Sequence, residues 1–525
     1  MVRQFILFVS VAALCLGQET ARMDQIVQSY VSAKTFMGSV LVARGNEVLF
    51  NKGYGMANLE WDVPNSPSSK YRLGSITKQF TAACILLLEE RGKLKLEDPV
   101  KKYIPDAPAA WNKITIFHLL THTSGLSNDD GQGERLATTP EKMIAGLRDM
   151  PLDFEPGENW KYSNSGYVVL GYLIEKISGR RYEEFLKQNI FTPLGMKDTG
   201  YDSSSEIIAH RAAGYMSSSH GLVNGGFVDM SVPFSAGALY STTEDLLRWE
   251  LGLFGGKILS PTSLQKMTTP FRNDYAFGLF VHSAGNRKLI DHAGAIPGFN
   301  AHLAYYPEDK LTVVVLGNFN SRAPTELASK LGAIAHGEPL QLTSERQEVT
   351  VAAARLAGYV GTYEFAPGIN LTIRLEGTQL TGQVTGQGKF EMHAQSETVF
   401  FLKVVDAQVE FKQDEGGEYA ILHEGGRDQR AVKKANSVAE RREIMVPRSI
   451  LEHYAGTYEL QPGFEIVVTL EGEQLMTQAT GQPKFPVFAE SETKFFLKVV
   501  DAEIEFIDGY AILHQGGRDM TAKRK

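Results

Sequence analysis

Two hydrophobic patterns divide the chain. Between about residues 24 and 335, strand-like and helix-like spacings are mixed. Ser39-Val40-Leu41-Val42-Ala43-Arg44 and Glu47-Val48-Leu49-Phe50 flank Gly45-Asn46, a dipeptide that tolerates the positive φ of a tight hairpin turn. Leu311-Thr312-Val313-Val314-Val315-Leu316 reads as a buried strand. Apolar residues recur at helical spacing over Ser75–Arg91, Tyr167–Ser178 and Tyr182–Asn189. Strands at both ends with helices between predict an α+β domain whose sheet is closed by its two terminal segments.

Beyond residue 335 the pattern changes to short alternating runs, such as Leu371-Thr372-Ile373-Arg374-Leu375 and Ile466-Val467-Val468-Thr469-Leu470, followed by Glu376-Gly377 and Glu471-Gly472 turns. These runs belong to a duplication. Phe400-Phe401-Leu402-Lys403-Val404-Val405-Asp406-Ala407 recurs unchanged from Phe495 to Ala502, and Gly361-Thr362-Tyr363-Glu364 recurs from Gly456. Ala420-Ile421-Leu422-His423 and Gly425-Gly426-Arg427-Asp428 recur from Ala511 and Gly516. The offset falls from 95 residues at Gly361/Gly456 to 91 at Gly425/Gly516, so the second copy is slightly shorter. A period this long means two tandem domains, each expected to be a small antiparallel β-barrel. Charged linkers, roughly 336–353 and 433–448, set the expected boundaries: a first domain over 24–335 and barrels over 354–433 and 449–525.

The 525-residue length suits several domains at about 150 residues each. A net charge of −8 without any Lys/Arg block excludes a nucleic-acid surface. Arg3 followed by Phe5-Ile6-Leu7-Phe8-Val9-Ser10-Val11-Ala12-Ala13-Leu14 is expected to be a cleavable export signal over residues 1–17, with Cys15-Leu16-Gly17 before Gln18, and the protein is expected to be secreted or periplasmic. The run is shorter than the ~20 residues a bilayer span needs, and no other segment is a candidate span. A lipid anchor on Cys15 is disfavoured by Leu14 before it. Loss of Cys15 leaves Cys84 alone, within Ala82-Ala83-Cys84-Ile85-Leu86-Leu87-Leu88. It is expected to be a core residue rather than a nucleophile.

Three motifs carry the candidate chemistry: Ser75-Ile76-Thr77-Lys78, Tyr162-Ser163-Asn164 and His292-Ala293-Gly294. Together they supply an activatable serine, a phenol and amide, and a strand edge able to hold an oxyanion, which are the parts of an acyl-enzyme hydrolase. Ser-x-x-Lys alone is weak, since it also occurs at Ser263/Lys266 and Ser491/Lys494. Ser75 is distinguished by Gly74 before it and by the helical pattern that starts there. Residues i and i+3 share a helix face, so Lys78 can lie beside the Ser75 hydroxyl. A lysine serves as base only where burial or a neighbouring cation lowers its pKa. His-x-Gly recurs at His423 and His514, inside the duplicated segments, and these two are expected to be turn residues.

These residues resemble the serine β-lactamase and penicillin-binding-protein family, in its class C β-lactamase, D,D-peptidase and β-lactamase-like esterase branch. The resemblance covers about residues 24–335. It is carried by the segment Leu73–Thr81, by Ile114-Thr115-Ile116-Phe117-His118-Leu119-Leu120-Thr121-His122-Thr123-Ser124-Gly125-Leu126, by Pro156-Gly157 leading to Tyr162–Tyr167, and by Ser235–Leu246. It implies that Ser75 forms the acyl-enzyme, that Lys78 and Tyr162 share proton transfer, and that Asn164 orients Lys78 and binds the substrate. It further implies that the strand segment of His292, Gly294 and Ala295 binds substrate, and that the backbone N–H groups of Ser75 and Ala295 form the oxyanion hole. Which of Lys78 and Tyr162 is the base stays open. The plan of one catalytic domain and two barrels resembles D-aminopeptidases of this superfamily.

His292 departs from the lysine that many β-lactamases of this fold carry. A neutral imidazole suits a substrate carboxylate less well than a fixed cation. The expected activity is therefore hydrolysis of an ester or of a D-amino-acid-containing peptide. The alternatives are a β-lactamase or penicillin-recognising D,D-carboxypeptidase, and a slowly turning-over β-lactam or peptidoglycan sensor. The substrate is a small molecule or peptide, and no cofactor is expected. The i, i+4 pair His118/His122 lacks a Glu after the first His and further ligands nearby, so it is expected to be structural, with no metal bound. Tyr359, Tyr363, Tyr454 and Tyr458 are expected in the barrel cores.

Overall fold

A computed structural model describes residues 18–127, 136–218, 221–338, 341, 345–403, 407–424, 427–435, 443–461, 464–480, 482–500, 502–515 and 518–525. The expected export signal with Cys15, and parts of the repeated strings at 404–406, 425–426, 501 and 516–517, lie outside these residues. The chain divides into two units, one up to Leu340 and one from Gln341.

The alternating and fully apolar runs of the first unit form one sheet. Its strands are β1 (Gly38–Arg44), β2 (Glu47–Tyr54), β3 (Phe280–Ala284), β4 (Arg287–Ile296), β5 (Phe299–Tyr306) and β6 (Leu311–Gly317), in the order β3-β4-β5-β6-β1-β2. Pairing of β1 with β6, in which Leu41 faces Val314, is the closure of the sheet by its terminal segments. β6 is buried along its whole length, as a continuous Val/Leu run requires when both faces are covered. The helices doing so are α3 (Thr243–Phe254), whose Phe254 ring stacks on Tyr305 at 4.0 Å, and α4 (Ala323–Ala335), which packs on β5 and β6. Successive strand residues point to opposite faces, so His292 and Asp291 part company on β4. Asp291 accepts from His302 Nε2 at 3.0 Å on the α4 side.

Helix α1 (Thr77–Glu90) is apolar on all sides and buried from Thr77 to Leu88. Its polar side chains are therefore under pressure to find partners inside the protein. Thr81 donates to Ser235 O at 2.7 Å, Gln79 Oε1 accepts from Trp249 Nε1 at 2.9 Å, and Thr77 Oγ1 accepts from Leu239 N at 3.2 Å. Cys84 is fully buried in the same helix, and burial raises its thiol pKa, the condition of an inert core cysteine. α1 packs against α2 (Asn164–Ser178), which completes the helical layer.

The second unit holds two closed barrels of eight antiparallel strands each, over 361–435 and 456–524. Thr362 pairs with Ala435 to close the first, and Tyr458 with Arg524 to close the second. Leu371 and Ile373 are buried while Thr372 between them is not, and Ile466 and Val468 behave likewise. Tyr363 and Tyr458 lie in these cores. Tyr359 also belongs to the first core and Tyr454 packs against the second; both stand at the ends of short helices, Ala353–Tyr359 and Arg448–Tyr454. Tyr359 stacks on Phe411 at 4.1 Å and Tyr454 on Phe506 at 4.4 Å. His423 and His514 are strand residues rather than turn residues. Each imidazole is paired with the aspartate opposite it, Asp428 or Asp519, at 2.6 Å.

Candidate active site

Ser75 sits in a single 3-10 turn, Gly74–Ile76, directly before α1, not within the α-helix itself. In a 3-10 turn residues i and i+3 eclipse, which brings Lys78 Nζ to 3.1 Å from Ser75 Oγ. The turn is pressed against β4. Gly74 has φ +53°, and a Cβ on it would fall 2.7 Å from Ala295 N. A Cβ on Gly294 would fall 1.9 Å from Leu73 O. Only glycines let the two backbones approach this closely.

Lys78 is fully buried. Its Nζ lies 2.8 Å from Asn164 Oδ1 and 2.9 Å from Ala236 O. Neither partner can donate, so two N–H bonds of the amine are directed at them and its third position faces Ser75. No carboxylate among the described residues makes an ion pair with it, and desolvation holds its pKa well below that of a free lysine. A neutral amine with its lone pair toward Ser75 is a competent base.

Asn164 opens α2, where Ser163 Oγ caps the helix by accepting from Gly166 N at 3.1 Å. This N-cap fixes Tyr162 and Asn164 on either side of Ser163. Lys78 Nζ is 4.8 Å from the Tyr162 ring centroid. Burial raises the Tyr162 pKa, opposed by the neighbouring Ser75 hydroxyl, so Tyr162 stays a phenol at neutral pH. Ser75 is its neighbour, yet the buried Tyr162 hydroxyl has no partner in hydrogen-bond geometry. A free phenol proton beside Ser75 Oγ is available for transfer.

β3 ends opposite Asp291, so residues 292–296 of β4 have no β3 partner beside them. Ala293 and Ala295 are exposed there, whereas His292 and Gly294 are buried. His292 Nδ1 is 2.6 Å from the Ala293 carbonyl, which can only accept. The proton is thus on Nδ1, and Nε2 faces the Tyr275 hydroxyl at 3.4 Å. Desolvation, the largest cause, brings the His292 pKa down to about 4. His292 is neutral at physiological pH and supplies no fixed cation.

The structure thus gathers Ser75, Lys78, Tyr162, Asn164, His292, Gly294 and Ala295 around one point. The other Ser-x-x-Lys pairs are elsewhere: Lys266 is an exposed ion-pair partner of Glu89 at 2.9 Å, and Ser491 Oγ accepts from the Lys494 backbone N–H at 2.9 Å in a barrel turn. Three further groups belong to the site: the Ala236 carbonyl, Tyr275 and His122. A backbone carbonyl leaves no mark on residue identity, and Tyr275 lies in no motif. The pair His118/His122 does not share a helix face, because the helix ends at Leu120 and His122 takes a left-handed φ of +58°. His118 closes a capping box with Thr115, while His122 packs beneath Tyr162 with ring centroids 4.4 Å apart. Among the described residues, no group of three or more His, Cys, Asp or Glu could hold a metal ion. No helix among them is long and apolar enough to cross a membrane.

Known proteins share this sequence family and fold. The Beta-lactamase family profile matches residues 23–336, and a domain of unknown function (DUF3471) matches 345–428 and 440–510. The chain is 32% identical to penicillin-binding protein 4* of Bacillus subtilis over 432 residues, covering 76% of this chain and 95% of that protein. The octameric penicillin-binding protein homologue from Pyrococcus abyssi superposes with a TM-score of 0.57 over 96% of this chain and 99% of that one, at 23% identity. A D-stereospecific amidohydrolase from Streptomyces superposes with a TM-score of 0.50 at 25% identity, over 57% of this chain and 94% of that one.

Proposed function

Because the chain belongs to the Beta-lactamase family of serine hydrolases, we propose that it hydrolyses an ester or a D-amino-acid-containing amide through an acyl-Ser75 intermediate. Lys78 takes the Ser75 proton as Oγ attacks the carbonyl carbon. The oxyanion forms at the backbone N–H groups of Ser75 and Ala295, donors worth a few kcal/mol each. Tyr162 gives its proton to the leaving alcohol or amine, and water then releases the acyl group. Asn164 holds the Lys78 amine in place and faces the substrate.

One observation carries the choice of substrate: His292 is buried with Nδ1 committed to the Ala293 carbonyl, and desolvation holds it neutral. Lys78 is committed to Asn164 and Ala236, so this strand edge offers no cation for a substrate carboxylate. A neutral ester or amide flank is accommodated without that charge. The fold shared with a D-stereospecific amidohydrolase supports the D-amino-acid branch. The test is turnover by the chain from Gln18, with Ser75→Ala as control, of a short-chain nitrophenyl ester, a D-alanyl anilide and a chromogenic cephalosporin. Ser75-dependent turnover of either of the first two supports the reading. Turnover of the cephalosporin alone would replace it with a β-lactamase.

The likeness to penicillin-binding protein 4* favours a second reading, acylation by penicillin with slow release. Intact-mass measurement distinguishes it: a penicilloyl adduct on Ser75 that persists for hours without product identifies a sensor. Export rests on Arg3 and the apolar run after it. N-terminal sequencing of the secreted or periplasmic protein, expected to begin at Gln18, tests it.

A further inference from the structure

Tyr162 presents a problem of positioning. Its hydroxyl neighbours Ser75 but meets no partner in hydrogen-bond geometry, so its reactive end alone does not fix the ring. Orientation must come from the main chain on either side and from the rings around it.

His122 supplies both. Its carbonyl accepts from Lys161 N at 3.0 Å, and its Nδ1 accepts from Ser163 N at 3.1 Å. The two bonds bracket Tyr162, holding the Trp160–Lys161 peptide unit on one side and the Tyr162–Ser163 unit on the other. The imidazole then packs on the Tyr162 ring at 4.4 Å, with Tyr275 at 4.4 Å and Tyr167 at 5.1 Å on the same imidazole. The residue is 1% exposed.

Two features of this arrangement work against stability. A histidine at φ +58° is strained by roughly 1 kcal/mol or more. Because Nδ1 accepts a backbone N–H, the ring proton is on Nε2, and Nε2 is buried without a partner. Phenylalanine would pack the same space without an orphaned donor, but it would leave the Ser163 N–H unmet and free to turn. Protonation would put a second N–H against that of Ser163. Desolvation keeps the ring neutral.

We propose that His122 is a positioning residue that holds Tyr162 over Ser75 by clamping the main chain on both sides of it. The inference rests on the acyl-serine reading. Asparagine tolerates the left-handed conformation and places Oδ1 close to where Nδ1 lies, whereas glycine tolerates the conformation and offers neither acceptor nor ring. In the full chain, acting on whichever nitrophenyl ester or D-alanyl anilide it turns over fastest, His122→Gly is expected to lower kcat roughly tenfold to a hundredfold, with KM within about threefold of wild type. His122→Asn is expected to recover kcat to within about threefold of wild type, with the melting temperature recorded for both variants.

A folded His122→Gly with wild-type kcat would overturn the inference. So would a loss confined to KM, or a His122→Asn no better than His122→Gly. Where His122→Gly does not fold, a His122→Asn with wild-type melting temperature and kcat down tenfold overturns it alone. Wild-type turnover that survives Ser75→Ala removes the acyl-serine reading and the inference together. Ser75-dependent turnover indifferent to His122 removes only the inference.

Discussion

The catalytic unit and the barrels contain the same short strings in different surroundings. Ser-x-x-Lys occurs at Ser75/Lys78 and again at Ser491/Lys494. In the first pair the amine is fully buried and aimed at the serine oxygen. In the second the lysine side chain is 44% exposed, and its backbone rather than its amine meets the serine. His-x-Gly repeats the lesson. His292 is 3% exposed with a carbonyl and a phenol for partners, while the His514 side chain is 28% exposed and sits between Asp519 and Glu505. Burial, complete in one string and partial in the other, is what separates them.

The largest effect expected from this contrast is on rate. Ser75→Ala and Lys78→Ala should each lower kcat/KM by roughly a thousandfold or more, while Ser491→Ala and Lys494→Ala should leave it within about twofold. Steady-state kinetics on one ester decide it. A comparable loss from the barrel pair would mean that the string itself matters, or that a barrel completes the site.

Buried, unpaired groups also occur in the catalytic unit outside its motifs. Glu250 on α3 is 2% exposed, and its Oε2 lacks a partner. Desolvation raises its pKa from 4.5 to about 8. With the folded-state value raised, the stability this carboxyl contributes is present below pH 4.5 and is lost as pH rises to about 8. Glu250→Gln should therefore be stabilising at about pH 9 relative to about pH 5, by up to roughly 4 kcal/mol. Chemical denaturation of both proteins at the two pH values measures it, and a gain independent of pH would show that the carboxyl is already paired.

His292 carries the opposite sign. Its pKa falls from 6.5 to about 4 on folding, so the unfolded chain binds the proton more tightly. The stability from keeping His292 neutral is present above pH 6.5 and is lost as pH falls to about 4, by up to roughly 3 kcal/mol. His292→Gln, which has no proton to gain, should flatten this part of the pH–stability curve. An unchanged slope would assign it to other groups.

Much of this is legible in the residues alone. The Gly45-Asn46 hairpin, the buried Leu311 strand and the doubled barrels follow from periodicity and turn chemistry, which act locally. Ser75, Lys78, Tyr162 and Asn164 are legible because their residue types are chemically demanding and their spacing is fixed by a helix start. What the residues do not disclose is conformational. The i, i+4 spacing of His118 and His122 implies a shared helix face only if the helix continues, and it ends at Leu120. Ala236 contributes only its carbonyl. Tyr359 joins the first barrel core and Tyr454 packs on the second, but each does so from the end of a short helix, stacked on Phe411 or Phe506, a placement that periodicity does not disclose. His423 and His514 sit before glycines, which suggest turns, yet strand pairing continues through them.

The smallest effect expected belongs to these last two histidines. His423 and His514 repeat one arrangement in two domains, so each is an internal control for the other. Both meet an aspartate at 2.6 Å, but those aspartates are 71% and 73% exposed. Pairs so open to solvent are screened and contribute at most about 1 kcal/mol. His423→Gln and His514→Gln should each shift the unfolding free energy by less than that, and by similar amounts, in denaturation followed by a probe on the barrel unit. A loss above about 2 kcal/mol in either would place that imidazole in a buried network after all. Environment would then have to be argued separately for each copy of the barrel, and not only between the barrels and the catalytic unit.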